Sequence, residues 1–131
     1  MKVLYTIIVI ITIVFVMYNL DPLFHSSPRY ITLIDEITAK TANKVRKEKK
    51  LNLIVTGGQM MDDIKLLDVG FNCYHEVDLQ EARKLLVYVI DEYLAAINGN
   101  EEIRQYLHDK PFTAKNVKIN IWFYRNIRWL E

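Results

Sequence analysis

The stretch DLQEARKLLVYVIDEYLAAING, residues 78–99, decides how the folded part of this chain is built. Leu79, Ala82, Leu85, Leu86, Val89, Ile90, Tyr93, Leu94 and Ile97 recur at the spacing that puts them on one side of an α-helix, and Glu81, Arg83, Lys84, Asp91 and Glu92 fill the remainder. Asp78 and Glu81 have the spacing of a capping box, where an acid accepts from first-turn amides, and Asn98-Gly99 stops the helix. A helix with one apolar side needs a surface to cover, and the sequence on either side supplies strands.

Upstream the period falls to two. Leu51, Leu53 and Val55 alternate with Asn52, Ile54 and Thr56 as far as Gly57-Gly58, and Gln59 to Asp63 is a connection. Alternation returns from Ile64 to His75, with Leu67, Val69, Phe71 and Cys73 on one face and Asp68, Gly70, Asn72 and Tyr74 on the other. The short connection makes these two strands an antiparallel pair. Downstream, Asn100 caps a short helix that runs to about His108, Lys110-Pro111 closes it, and Val117, Ile119, Ile121 and Phe123 alternate with Lys118, Asn120, Trp122 and Tyr124 in a last strand.

A helix from about Pro28 to Lys49, with Ser27 as its N-cap, precedes the strands. Its stripe of Tyr30, Ile34, Ile37, Thr41 and Val45 fades after Ile37, so its second half is expected to face solvent. The predicted fold is α+β in the order α-β-β-α-α-β: a small three-stranded, mainly antiparallel sheet with helices packed on one face. Its other face would show Ile54, Leu66, Tyr74, Trp122 and Tyr124, apolar enough for solvent to suggest a second chain or a covering helix.

Ahead of this unit lies VLYTIIVIITIVFVMYNL, residues 3–20, without a charge. As a helix it reaches roughly 27 Å, close to the ~30 Å hydrocarbon core of a bilayer. Tyr5 and Tyr18 near its ends suit the membrane interface. No pair of small residues of the A-x-A kind follows it, so an uncleaved single-pass anchor is favoured over a leader that would be cleaved to release a secreted or periplasmic domain. The sequence thus divides into residues 1–20, a transmembrane anchor or uncleaved signal sequence; 21–50, a linker and basic helical stalk; and 51–131, the α+β domain. Lys2 ahead of the apolar run favours the domain on the extracytoplasmic side.

The 131 residues carry a formal net charge of +1, but the charge is segregated. Lys40, Lys44, Arg46, Lys47, Lys49 and Lys50 crowd into one segment with Glu48 as the only acid, whereas from Leu51 onward nine bases face twelve acids. The basic segment reads as a solvated helix face or as a contact for anionic lipid or an acidic partner. Nucleic-acid binding has little support, since no aromatic residue interleaves the charges.

Candidate chemistry is sparse. Cys73 is the only cysteine, so no disulfide can form within the chain. Cys73 and His75 lie two apart on one strand face and could support a thiolate nucleophile, but their roots would be ~6–7 Å apart at a strand rise of ~3.3 Å per residue. A core cysteine is the plainer reading. Asp62 and Asp63 offer adjacent acids without the further oxygens of a calcium loop. His25, His75 and His108 show no metal-ligand spacing. No catalytic, cofactor-binding or metal-binding residue is assigned. The aromatic and basic end, Trp122, Tyr124, Arg125, Arg128 and Trp129, combines residue types enriched at protein interfaces and membrane boundaries, and it is the candidate interaction surface.

Glu81-Ala82-Arg83-Lys84-Leu85, the run Asn100-Glu101-Glu102-Ile103-Arg104-Gln105-Tyr106-Leu107, Pro111-Phe112-Thr113 and Asn116-Val117-Lys118-Ile119 together resemble small exported or membrane-anchored bacterial proteins. The resemblance covers about residues 57–123. It implies a bacterial envelope setting and brings no catalytic residues with it.

The expected function is that of a membrane-anchored envelope protein without enzymatic activity, whose domain binds another protein or a copy of itself. The rival classes are a small exported hydrolase using Cys73 and His75 or the acids at 62 and 63, and an anionic-lipid or nucleic-acid binder acting through residues 40–50.

Overall fold

The long helix is α3, Leu79–Asn98. Asp78 caps it, its carboxylate accepting from the Glu81 N–H at 2.8 Å. The computed structural model describes residues 1–24 and 27–125. In chain order the other elements are α1 (Lys2–Phe24), α2 (Arg29–Lys49), β1 (Leu51–Gln59), β2 (Leu66–Cys73), α4 (Glu101–Arg104), a single 3-10 turn at Ala114–Asn116, and β3 (Val117–Phe123). The predicted order and the α+β class hold. The strands form one sheet in the order β1-β2-β3.

The β1–β2 pair is antiparallel as expected, but β3 runs parallel to β2, so the sheet is mixed rather than mainly antiparallel. The connection explains this. At 1.5 Å per residue the 20-residue α3 is about 30 Å long, and the eight residues of β2 span about 26 Å, so one pass along the helix returns the chain to the end where β2 began. From there the next strand runs alongside β2 in the same direction.

α2 lies against β1 and α3 against β3, and the two helices touch each other. Leu67, Val69, Phe71 and Cys73 of β2 are buried beneath them, on the face that the alternation predicts. The core adds Leu85, Val89, Tyr93 and Ile97, a row on α3 repeating every fourth residue, with Ile103, Leu107 and Phe112 beyond it. The Tyr93 hydroxyl reaches the Thr38 carbonyl at 3.3 Å, and burial pushes the phenol's pKa up.

α2 departs from expectation in two respects. Pro28 rather than Ser27 occupies the N-cap, and no side chain caps the helix. Its second half is not solvated: Thr38, Thr41, Ala42 and Val45 are buried along with Leu33, Ile34 and Ile37. The stripe continues in small and hydroxyl-bearing residues, which let α2 approach α3 closely. Lys50, in the left-handed conformation (φ 56°, ψ 34°), is the whole joint between α2 and β1.

A β-bulge between Leu53 and Val55 inserts Ile54 as an extra residue. Beyond it the faces of β1 exchange, and Val55, opposite Gly70, joins the side turned away from the helices. The expected outward Ile54 is exposed at the bulge itself.

Two asparagines fasten the far end. Asn98 donates to the Phe112 carbonyl at 2.9 Å and accepts from the Phe112 N–H at 2.8 Å. Asn116, buried, donates to Lys65 O and Asp109 Oδ2 and accepts from the Thr113 N–H. The Asn116 contact, opposed by burial and aided by Lys115, holds the Asp109 carboxyl below its usual range. The β1–β2 connection is pinned to the exit of α4 by Ile64 N–H to Tyr106 O (2.8 Å) and His108 N–H to Ile64 O (2.9 Å).

α1 continues past Leu20 to Phe24. Lys2–Asn19 is long and apolar enough to cross a membrane, and none of it is buried against the domain. Its polar side chains bond to its own backbone: Thr6 Oγ1 to Lys2 O, Thr12 Oγ1 to Ile8 O and Asn19 Nδ2 to Phe15 O. Hydroxyls and amides satisfied in this way can enter hydrocarbon without losing a partner.

Candidate interaction surface

The side of the sheet opposite the helices carries no other element of the described residues. Register places three rows across it: Asn52, Asn72 and Trp122; Val55, Gly70 and Asn120; Gly57, Asp68 and Lys118. The polar row is knitted together, because Asp68 accepts from Lys118 Nζ at 2.8 Å through one oxygen and from Asn120 Nδ2 at 3.2 Å through the other. The aromatic end is open. Tyr74 and Tyr124 stack with centroids 5.2 Å apart, and the Asn72 amide donates to the Tyr74 hydroxyl at 3.0 Å.

Trp122 lies across Gly70. A Cβ at Gly70 would stand 2.4 Å from Trp122 Cζ3 and 3.1 Å from Val55 Cβ, so the missing side chain is what lets the indole rest against the strand. Trp122 is nevertheless 43 % exposed, Tyr74 54 %, Tyr124 48 % and Val55 43 %. These four form an apolar patch that solvent touches, running from the row beside the Asp68 network to the end of the sheet. Large aromatic side chains held in place by neighbours, with a polar group beside them, are the usual anchors of protein interfaces.

Of the surface expected from sequence, Trp122, Tyr124 and Arg125 lie together at this end of the sheet. Arg128 and Trp129 lie outside the described residues. Tyr74 shares the open face with Trp122 and Tyr124, as the alternation predicts. Val55, expected on the covered face with Leu51 and Leu53, joins it because of the bulge, and the β2–β3 register, which aligns Asn72 with Trp122 and Gly70 with Asn120, seats the indole over Gly70.

The basic segment is partly spoken for within the domain. Lys44 pairs with Glu92 at 2.7 Å, which raises the ammonium's pKa, and Lys49 lies 4.9 Å from the centroid of the Tyr88 ring. Tyr88 hydrogen-bonds Glu48, and burial, followed by that contact, pushes its phenol up. Arg46 bonds Asn43 on its own helix, and Lys50 is the left-handed joint. Lys40 and Lys47 stand exposed on the outer side of α2. Lys49, Lys50, Lys84, His75, Glu48 and Glu81 line an open groove of about 750 Å³ between the end of α2 and the start of α3. Its charges alternate in sign, so it has no single polarity to select a ligand.

The Cys73 thiol lies 3.4 Å from His75 Nδ1, nearer than strand spacing suggests, because the chain turns at the end of β2 and folds the imidazole back. Sγ is also 3.6 Å from the His75 carbonyl. Cys73 is fully buried, and burial pushes the thiol up despite that backbone contact. A buried, protonated thiol lacks the exposure and thiolate character of a nucleophile. Asp63 pairs with His108 at 2.6 Å and with Lys65 at 3.9 Å, whereas Asp62 is exposed. Among the described residues no three His, Cys, Asp or Glu side chains converge as metal ligands. His25 lies outside them.

Compared with protein-family models, curated proteins and solved structures, the chain matches none.

Proposed function

We propose that this protein is a membrane-anchored interaction module. α1 holds the α+β domain at a membrane with the domain on the extracytoplasmic side, and the open face of the sheet around Trp122, Tyr74 and Tyr124 binds a protein partner. The observation that carries this reading is the Trp122 indole held over Gly70 and left 43 % exposed beside a stacked tyrosine pair. Arg125 at the same end adds a guanidinium, the charged group best suited to an interface. The apolar length of α1 and its internally bonded polar groups support the anchor.

The test is photo-crosslinking in cells from a photoreactive phenylalanine at Tyr74, with exposed Lys47 on the far side of the domain as the control site. A discrete protein adduct from Tyr74, lost on Trp122→Ala and absent from Lys47, is the expected result. Equal labelling from both sites would sink the reading. Extraction of the full chain by alkaline carbonate would count against the anchor.

A further inference from the structure

The sheet has two edges, and they are built differently. β1 is kinked by the bulge at Ile54, which discourages edge pairing, and Gly57-Gly58 in its second half offer no side chains to pack against a neighbour. β3 is seven residues, VKINIWF, without glycine, proline or bulge, and its register with β2 has no shift from Leu67↔Val117 to Cys73↔Phe123. The Tyr124 N–H donates to Cys73 O at 2.9 Å, so the even-numbered residues of β3 turn their backbone toward β2. By strand alternation Val117, Ile119, Ile121 and Phe123 turn theirs off the sheet, where no described residue of the chain meets them.

We propose that β3 pairs with β3 of a second copy, antiparallel about a two-fold axis at Asn120, joining the two sheets into one. The inference deepens the proposed function and rests on it, in that it names a second copy as one partner of the module. The sequence of the strand fits its own reverse. With the axis at Asn120 all seven residues pair: Val117 with Phe123, Ile119 with Ile121, Lys118 with Trp122, and Asn120 with Asn120. Apolar residues meet apolar ones on the helix side. On the open side, Lys118, the only charge on the strand and neutralised by Asp68, stands opposite Trp122 of the copy rather than opposite its own copy, so no like charges face each other. Val117–Phe123 and Ile119–Ile121 become the hydrogen-bonded pairs, using the outward backbone groups. Ala82, Leu86, Ile121 and Phe123, with Arg83, line a groove of about 330 Å³ beside this edge, so largely apolar surface flanks the strand that would be joined. Anchoring in a membrane confines the copies and raises their effective concentration.

The test uses the full chain in membranes, in which buried Cys73 serves as an internal control. Asn120→Cys would sit at a non-hydrogen-bonded pair, with Cα atoms about 4.5 Å apart, within disulfide reach. Lys118→Cys would be about 13 Å from its copy, four residues along the strand. Mild oxidation is expected to link Asn120→Cys into a dimer at least tenfold more efficiently than Lys118→Cys. Adding Ile121→Pro, which removes an outward N–H while leaving the bonds to β2, should abolish the link. Absence of the Asn120→Cys dimer, or equal linking at position 118, overturns the pairing. If the pairing fails while the Tyr74 adduct to another protein persists, the interaction reading stands without it; loss of both removes both.

Discussion

The two sides of the sheet begin from the same strands and end in opposite environments. On the covered side Leu67, Val69, Phe71 and Cys73 are sealed by α2 and α3. On the open side the intervening residues Asp68, Gly70 and Asn72 meet a polar network and aromatic rings that solvent reaches. The difference shows where the chain stores stability and where it leaves surface for something else. A buried aromatic is held by contacts all round, whereas Trp122 has a sheet beneath it and water above.

Phe71→Ala should give the largest effect. Phe71 is fully buried and meets the Tyr93 ring with centroids 6.3 Å apart, so the cavity should cost about 3–5 kcal/mol in urea denaturation. The matching change on the open side, Trp122→Ala, should cost less, about 2 kcal/mol, because only part of the indole's area is withdrawn from water. Equal costs would erase the distinction between the two sides. Next comes Gly70→Ala, which drives a methyl group into the indole. It should cost about 1–2 kcal/mol by thermal melting, toward the low end of overpacking because the ring can swing outward. A melting temperature unchanged by Gly70→Ala would mean that the indole does not lie against the strand.

The smallest effect concerns neither side but the corner that joins them. The Asp109 carboxyl is held low by Asn116 and Lys115, so its stabilising contribution is present above its unfolded pKa and disappears as pH falls through the lower folded value. Asp109→Asn should lower stability at neutral pH and flatten the acid limb, so that the two proteins converge as pH falls below about 4. A steeper acid limb in the variant would contradict that sign.

Much of the fold was legible because its periods are clean. The two-residue alternation of 67–73 and 117–123 assigned every side chain of β2 to the correct face, and Asp78 and Asn100 marked two helix starts. The direction of β3 was not legible, since alternation is the same in parallel and antiparallel strands and only the length of the crossover decides. The buried second half of α2 was disguised because Thr38, Thr41 and Ala42 carry little apolar signal amid lysines. The bulge left no mark either, because Ile54 and Val55 are chemically alike and their exchange of roles is a matter of pairing. The open surface was partly legible: alternation put Tyr74, Trp122 and Tyr124 on one face, but Val55 joins them only through the bulge, and the seating of the indole on Gly70 depends on register. The closeness of Cys73 to His75 depended on a turn that spacing alone does not describe.

Lys50 has a mechanical consequence. With α2 ending at Lys49 and β1 starting at Leu51, there is no slack between helix and sheet. A load applied to the N-terminal segment reaches β1 through a single residue, unless α2 first peels from the core. The seating of Leu33, Ile34, Ile37 and Val45 therefore sets how much pull the domain withstands before its sheet is strained.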